Sequence, residues 1–243
     1  MDRNLALEFV RVTEAAAIAS AKWIGKGEGK KADKAAVDAM RTRFNQINFS
    51  GTIVIGEGSK DEAPELYTGE HVGTGTGHEM DIAVDPLECT DSVAYGRYNA
   101  LTVITTGPKG TLLSAPDTYM EKIAVGREAK GVIDLDAPVK ENISKVARAL
   151  GKDVSEVTVS LLDRPRHESL IQEIRDAGAR VRLITDGDVA VAVSTCLPES
   201  PIDMLLGTGG STEGVLAAVA LRILDGEILT RFKPRNDEDK KKS

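Results

Sequence analysis

The chain has 243 residues, of which 41% are hydrophobic and 28% charged, with a formal net charge of −7. That length supports a full core, as one domain or two small ones, and the acidic balance argues against a nucleic-acid footprint. No apolar run is long enough to cross a bilayer, and with aromatics at only 4% the core must be built from Ala, Val, Leu and Ile.

The N-terminus opens directly into a helical pattern without a signal-peptide apolar core. Leu5, Phe9, Val12, Ala16, Ala19 and Trp23 recur at helical spacing and predict an amphipathic helix over residues 3–24. Gly25, Gly27 and Gly29, interleaved with lysines, form either a phosphate cradle or a flexible basic turn. The P-loop order is absent, because no Ser or Thr follows Lys30 and Lys31. Asp33 is then placed to cap a second helix carrying Val37, Met40, Phe44 and Ile47.

Residues 51–56 read as a short buried strand that ends in the acidic loop containing Glu57 and Asp61. The same logic recurs at residues 81–90. Ile82, Ala83 and Val84 form an apolar run, Asp85 stands at its end, and Pro86 removes a backbone donor and is expected to stop the ladder. Glu88 lies three residues on. Two carboxylates so close repel unless a cation neutralises them, and hard divalent ions prefer oxygen donors. Thr90 offers a hydroxyl and a helix start. A strand followed by a solvated acidic turn is the plainer alternative. Two such strands side by side would bring Glu57, Asp61, Asp85 and Glu88 together. Residues 73–77 lack the dinucleotide spacing and read as a loop, flanked by His71 and His78 as surface histidines. Residues 100–106 predict a strand, 111–114 its hairpin partner, and 132–135 one more strand.

The second half changes rhythm. Helices over 138–150, 166–177, 188–197 and 212–224 alternate with strands over 157–162, 181–184 and 202–206. The alternation predicts βαβ units and a parallel sheet. Ligands bind beyond the carboxyl ends of such strands. Those ends carry Arg164, Pro165 and Arg166, then Asp186, Gly187 and Asp188, then a Gly-rich entry with Gly210 and Glu213. Arginines suit phosphate bidentately, and Glu213 is either a further metal carboxylate or an answer to the helix dipole. The fold class is therefore α/β: an α+β metal-binding half over 1–135, a parallel substrate-binding half over 136–232, and a charged tail over 233–243 without fixed structure.

Taken together, these motifs resemble the class II (GlpX-type) fructose-1,6-bisphosphatases, within the lithium-sensitive metal-dependent sugar phosphatases. The resemblance runs along nearly the whole chain: residues 8–14, 32–37, 51–58, 85–88, 115–122, 164–167, 186–188 and 209–214. It implies a layered sugar-phosphatase fold, shortened at the C-terminus, since family members continue past this chain's end. It also implies two or more Mn²⁺ or Mg²⁺ ions. Asp33 and Glu57 would hold one, and Asp85, Glu88 and Glu213 another. Sugar and phosphate would be held by Glu88, Cys89, Thr90, Tyr119, Arg164, Pro165, Arg166, Asp186, Gly187, Asp188 and Gly210. Asp61, Thr90 and Glu57 would serve catalysis, Asp61 and Thr90 by positioning the attacking water.

The implied reaction is metal-assisted hydrolysis of the 1-phosphate of fructose-1,6-bisphosphate, one metal activating a water and the pair stabilising the in-line oxygens. Two neighbouring readings are a sedoheptulose-1,7-bisphosphatase and a non-catalytic sugar-phosphate binder. Cys89 stands where the family usually has Gly, which puts a Cβ where backbone should approach phosphate. The family's lysine near Gly29 is displaced to Lys30. A cytoplasmic homo-oligomer, dimer or tetramer, is expected. The two cysteines, Cys89 and Cys196, have no metal-ligand spacing, and a reducing compartment suits them.

Overall fold

The computed structural model describes residues 3–57 and 66–240. Contacts divide the chain into two compact units, Met1–Ser114 and Ala115–Ser243.

The first unit opens with α1 (Arg3–Ala21) and α2 (Gly29–Phe44). Its sheet has the order β2 (His71–Val72), β1 (Ser50–Ile55), β3 (Glu79–Glu88), β4 (Leu101–Pro108). A one-and-a-half-turn helix, α3 (Thr90–Ala94), follows β3. The core is aliphatic, as the composition requires, but three of the chain's four phenylalanines meet within it. Phe9, Phe44 and Phe49 stand with ring centroids 5.1–6.1 Å apart, within the range of favourable aromatic pairing.

β1 and β3 lie side by side, the arrangement that would gather their acidic ends, and they run parallel. Pro86 does not end β3. The strand continues to Glu88, and the pairing with antiparallel β4 slips: Asp85 lies opposite Val103, and Glu88 opposite Leu101. Three steps on β3 thus match two on β4, which is a bulge. A bulge tolerates the proline's missing donor, because the extra residue is unpaired in any case. The hairpin partner expected at 111–114 does not form. The backbone amides of Thr111 and Leu112 instead donate to the buried Asp81 carboxylate, at 2.9 and 3.1 Å.

The second unit has a mixed five-stranded sheet. Its order is β7 (Arg180–Ile184), β6 (Thr158–Leu162), β8 (Met204–Gly210), β5 (Tyr119–Val125), β9 (Glu227–Phe232). β6 pairs in parallel with β7 and β8, as the alternation predicted, while β5 pairs antiparallel with β8 and β9. Helices α4 (Val139–Leu150) and α5 (Glu168–Asp176) pack around Ile123, Val125, Val159 and Leu161. Helices α6 (Asp188–Ser194) and α7 (Ser211–Ile223) share a second cluster with Ala124 and Leu205. Ile123 and Ala124 are adjacent on β5, and adjacent strand residues point to opposite faces, so helices cover both sides of this sheet.

Residues 115–135 belong with the second unit, not the first half, because β5 is paired on both edges there. Residues 132–135 are not a strand; a 3-10 turn at Arg127–Ala129 precedes them. The described part of the tail has fixed structure and carries α8 (Asp237–Lys240). Arg235 bonds Asp239 at 2.7 Å, and Asp239 accepts from the buried Thr118 hydroxyl at 3.0 Å. An all-polar segment is thus fixed by ion pairing without any apolar period to announce it.

Candidate active site

In the first unit the acidic residues gather at one end of the sheet. Ile55 pairs with Ala83. Two residues beyond that pair stand Glu57 and Asp85, so both carboxylates leave the same sheet end. Glycine is required at position 56, because a Cβ there would strike the Leu66 carbonyl, and the Glu57 amide donates to that same carbonyl at 3.0 Å. Asp85 and Glu88 owe their common direction to the bulge. Residues three apart on a regular strand face opposite sides. Here their partners, Val103 and Leu101, are two apart, so the two carboxylates share a face. Glu88 is only 4% exposed. The Asp85 carboxylate accepts the Leu87 amide at 3.1 Å, and the Thr90 hydroxyl donates to the Leu87 carbonyl at 3.1 Å.

Cys89 joins β3 to α3 in the left-handed region, at φ 69° and ψ 51°, a conformation that favours glycine. Asp33 is not a helix cap. α2 begins at Gly29, one turn earlier. The two residues lie on one helix face, and that face meets α3: a Cβ on Gly29 would stand 3.1 Å from Thr90 Cγ2. The Gly25–Gly29 stretch is no phosphate cradle, since the amides of Gly25 and Gly27 donate to the carbonyls of Val93 and Ala94 at 2.9 and 2.8 Å. Asp61 lies outside the described residues. His71 and His78 are exposed.

All of these donors are hard oxygens, which suits Mg²⁺ or Mn²⁺. Among the described residues, no three acidic, histidine or cysteine side chains are drawn into a group that could hold a metal ion. The donor chemistry fits a divalent cation; the elements bring the carboxylates to one sheet end without closing them on a point.

The second unit places its own set at the carboxyl edge of β6, β7 and β8. Tyr119 begins β5 and pairs with Gly210 at the end of β8. Two guanidiniums stand over the Tyr119 ring, Arg166 at 4.8 Å and Arg235 at 5.5 Å from its centroid. Arg164 caps, and Pro165 begins, a 3-10 turn that carries Arg166 to the Thr208 carbonyl, at 2.8 and 3.2 Å. Asp186 leads into Gly187, whose φ of 83° turns the chain into α6. Asp188, at the first position of that helix, is buried and bonds Lys122 at 2.7 Å. Gly209 carries no Cβ where one would strike the Asp188 carboxylate. Glu213 folds back over Gly210 and accepts from the Thr212 hydroxyl at 2.8 Å.

Of the expected metal carboxylates, Asp33, Glu57, Asp85 and Glu88 lie in the first unit and Glu213 in the second. A family model for the bacterial, glpX-encoded fructose-1,6-bisphosphatase matches residues 3–243. The chain belongs to the GlpX-type fructose-1,6-bisphosphatase family. Among its relatives, the fructose-1,6-bisphosphatase 1 class 2 of Escherichia coli K12 is 54% identical over 237 residues, covering 98% of this chain and 70% of that protein. The class 2 enzyme of Haemophilus influenzae is 51% identical, covering 98% of this chain and 71% of that protein. A solved structure titled as an extragenic suppressor from Pyrococcus furiosus aligns with 79% of this chain and 68% of its own, at 14% identity and a TM-score of 0.38; that likeness carries no argument.

Two members of this edge belong to none of the sequence motifs. Lys122 sits inside the apolar strand β5, and a lysine there signals a buried partner. Arg235 sits in the polar tail, where nothing in the sequence marks it out from its neighbours.

Proposed function

We propose that this protein hydrolyses the 1-phosphate of fructose-1,6-bisphosphate, giving fructose 6-phosphate and inorganic phosphate. The observation that carries the reading is the end of β3. There a bulge turns Asp85 and Glu88 to one face, and Cys89 turns the chain to Thr90, in a chain more than half identical to named class 2 fructose-1,6-bisphosphatases. Asp33, Glu57, Asp85 and Glu88 would hold Mn²⁺ or Mg²⁺, and Glu213 is the fifth carboxylate implied by the resemblance. When bound, such ions supply a Lewis acid for the phosphoryl oxygens. Thr90 and Asp61 orient the attacking water, whose oxygen forms the new bond to phosphorus as the bond to the sugar oxygen breaks. In the second unit Tyr119, Arg164, Arg166, Asp186, Asp188 and Gly210 recognise sugar and phosphate. Arginine suits this because its planar fork pairs phosphate oxygens bidentately. Among the described residues no helix is long and apolar enough to cross a membrane.

The test is phosphate release from fructose-1,6-bisphosphate with Mn²⁺, with Mg²⁺ and without metal, beside an Asp85→Ala protein. Metal-dependent release lost in Asp85→Ala is the expected result. A folded wild-type protein that releases none overturns the reading.

A further inference from the structure

His167 is a buried histidine with both ring nitrogens committed. Its Nδ1 stands 2.8 Å from the Leu162 carbonyl at the end of β6, and its Nε2 stands 2.9 Å from the Thr208 amide on β8. A carbonyl can only accept and an amide can only donate. The ring is therefore neutral, with its proton on Nδ1. The close packing is built in: Gly207 has φ +145°, and a Cβ there would come within 3.2 Å of the imidazole. The neighbouring residue, Arg166, spends Nε and Nη2 on the carbonyl of the same Thr208. Thr208 is thus clamped at its amide by His167 and at its carbonyl by Arg166.

We propose that His167 is a positioning residue: its imidazole ties the end of β6 to Thr208 and so fixes the carbonyl on which the substrate-binding Arg166 guanidinium is seated. This rests on the functional reading above and deepens it. Protonation would set an N–H on Nε2 against the Thr208 amide, donor against donor, and release the seat. The charged surroundings oppose protonation. Arg164 and Arg166 lie on its own segment, and Lys233 approaches from the chain after β9. Lys122 of β5 and Asp188 of α6 line a small cavity beside it, paired to each other. Glu121, paired to Lys233 at 2.8 Å, and Asp134 line a larger cavity beside it. Burial first, and then the arginines and Lys233, hold its pKa below the ordinary 6.5, against the raising effect of the Leu162 carbonyl.

A histidine with a lowered folded pKa gives up stability as pH falls from its unfolded value through its folded value. The seat is therefore complete at neutral pH and loosens only as pH falls through the lowered folded pKa.

With three histidines in the chain, imidazole NMR resolves His167. The expected spectrum is the Nδ1–H tautomer with a midpoint below 6.5; an Nε2–H tautomer or a midpoint at or above 6.5 overturns the inference. Steady-state kinetics give the second arm. Losing the two bonds in His167→Ala should raise KM for fructose-1,6-bisphosphate about tenfold with kcat changed less than about threefold. His167→Gln keeps one donor and one acceptor and should restore most of the affinity. The acid rise in wild-type KM should be absent in His167→Gln, while titration of the substrate phosphate is common to both proteins. If His167→Ala fails to fold, the wild-type and His167→Gln profiles decide. An active wild-type enzyme whose KM keeps the same acid limb in His167→Gln overturns this inference alone; a wild-type protein that neither binds nor hydrolyses the bisphosphate overturns the functional reading with it.

Discussion

Lys122 and Asp188 pair at 2.7 Å with side chains only 2% and 7% exposed, joining the middle of β5 to the first residue of α6. The pair locks the substrate-edge aspartate in one direction. Gly209 leaves room for its carboxylate, and Gly214 stands against the lysine stem, 3.3 Å from Cε if a Cβ were added. Replacing one partner strands the other in low dielectric. Lys122→Met should cost about 3–5 kcal/mol, read as a lower urea midpoint. Lys122→Met combined with Asp188→Leu should recover much of that stability but none of the substrate affinity. A single Lys122→Met protein as stable as the parent would refute the argument.

Cys89 holds a left-handed conformation at φ 69° in the turn that enters α3. A non-glycine residue there costs about 1 kcal/mol, and glycine's greater freedom in the unfolded chain takes back about 0.5–1 kcal/mol. Cys89→Gly should therefore leave the unfolding midpoint nearly unchanged. Its effect should fall on KM, lowered about threefold (about 0.65 kcal/mol) because the backbone gains a closer approach to phosphate. Cys89→Ala keeps both the Cβ and the strain, and should leave KM at the parent value.

Removing the metal should be visible in stability as well as in activity. A cation held at 100 times its Kd stabilises the folded state by about 2.7 kcal/mol. Thermal unfolding with and without Mn²⁺ should show that shift, and Glu88→Gln should abolish it while leaving the metal-free midpoint in place. A shift that survives both Glu88→Gln and Asp85→Ala would move the metal away from the end of β3.

The tail is clipped to the second unit by Arg235, Asp239 and Thr118. Arg235 first, then Thr118, hold the Asp239 carboxyl below its ordinary 3.8. A carboxylate with a lowered folded pKa contributes above its unfolded value and loses that contribution as pH falls through its folded value. Residues 233–240 should resist proteolysis at neutral pH, and Asp239→Ala should open them to cleavage there. Equal protection in the parent and Asp239→Ala would show that other contacts hold the segment.

Much of the second unit was readable along the chain. The 138–150 helix closes at Gly151 in the left-handed conformation, and the β6, β7 and β8 strands carry the expected site residues just past their ends. Local signals sufficed because α4, β6 and β8 bury their own apolar residues, while the edge strand β7 follows from the alternation. β5 and β9 escaped because their pairing is antiparallel and distant, and Glu121 and Lys122 break the apolar pattern of β5.

The sequence by itself determined the acidic and basic residues, their order, and the apolar strands that deliver them to element ends, since these depend only on residue type and spacing. Tertiary structure alone decided which way the side chains turn. Asp85 and Glu88 face one side only because β3 slips one residue against β4 at Pro86. His167, which looks like a chance neighbour of Arg166 in the sequence, becomes a strand clamp only because β8 lies beside β6. Register and burial arise from pairings between residues far apart in the chain, and no local window contains them.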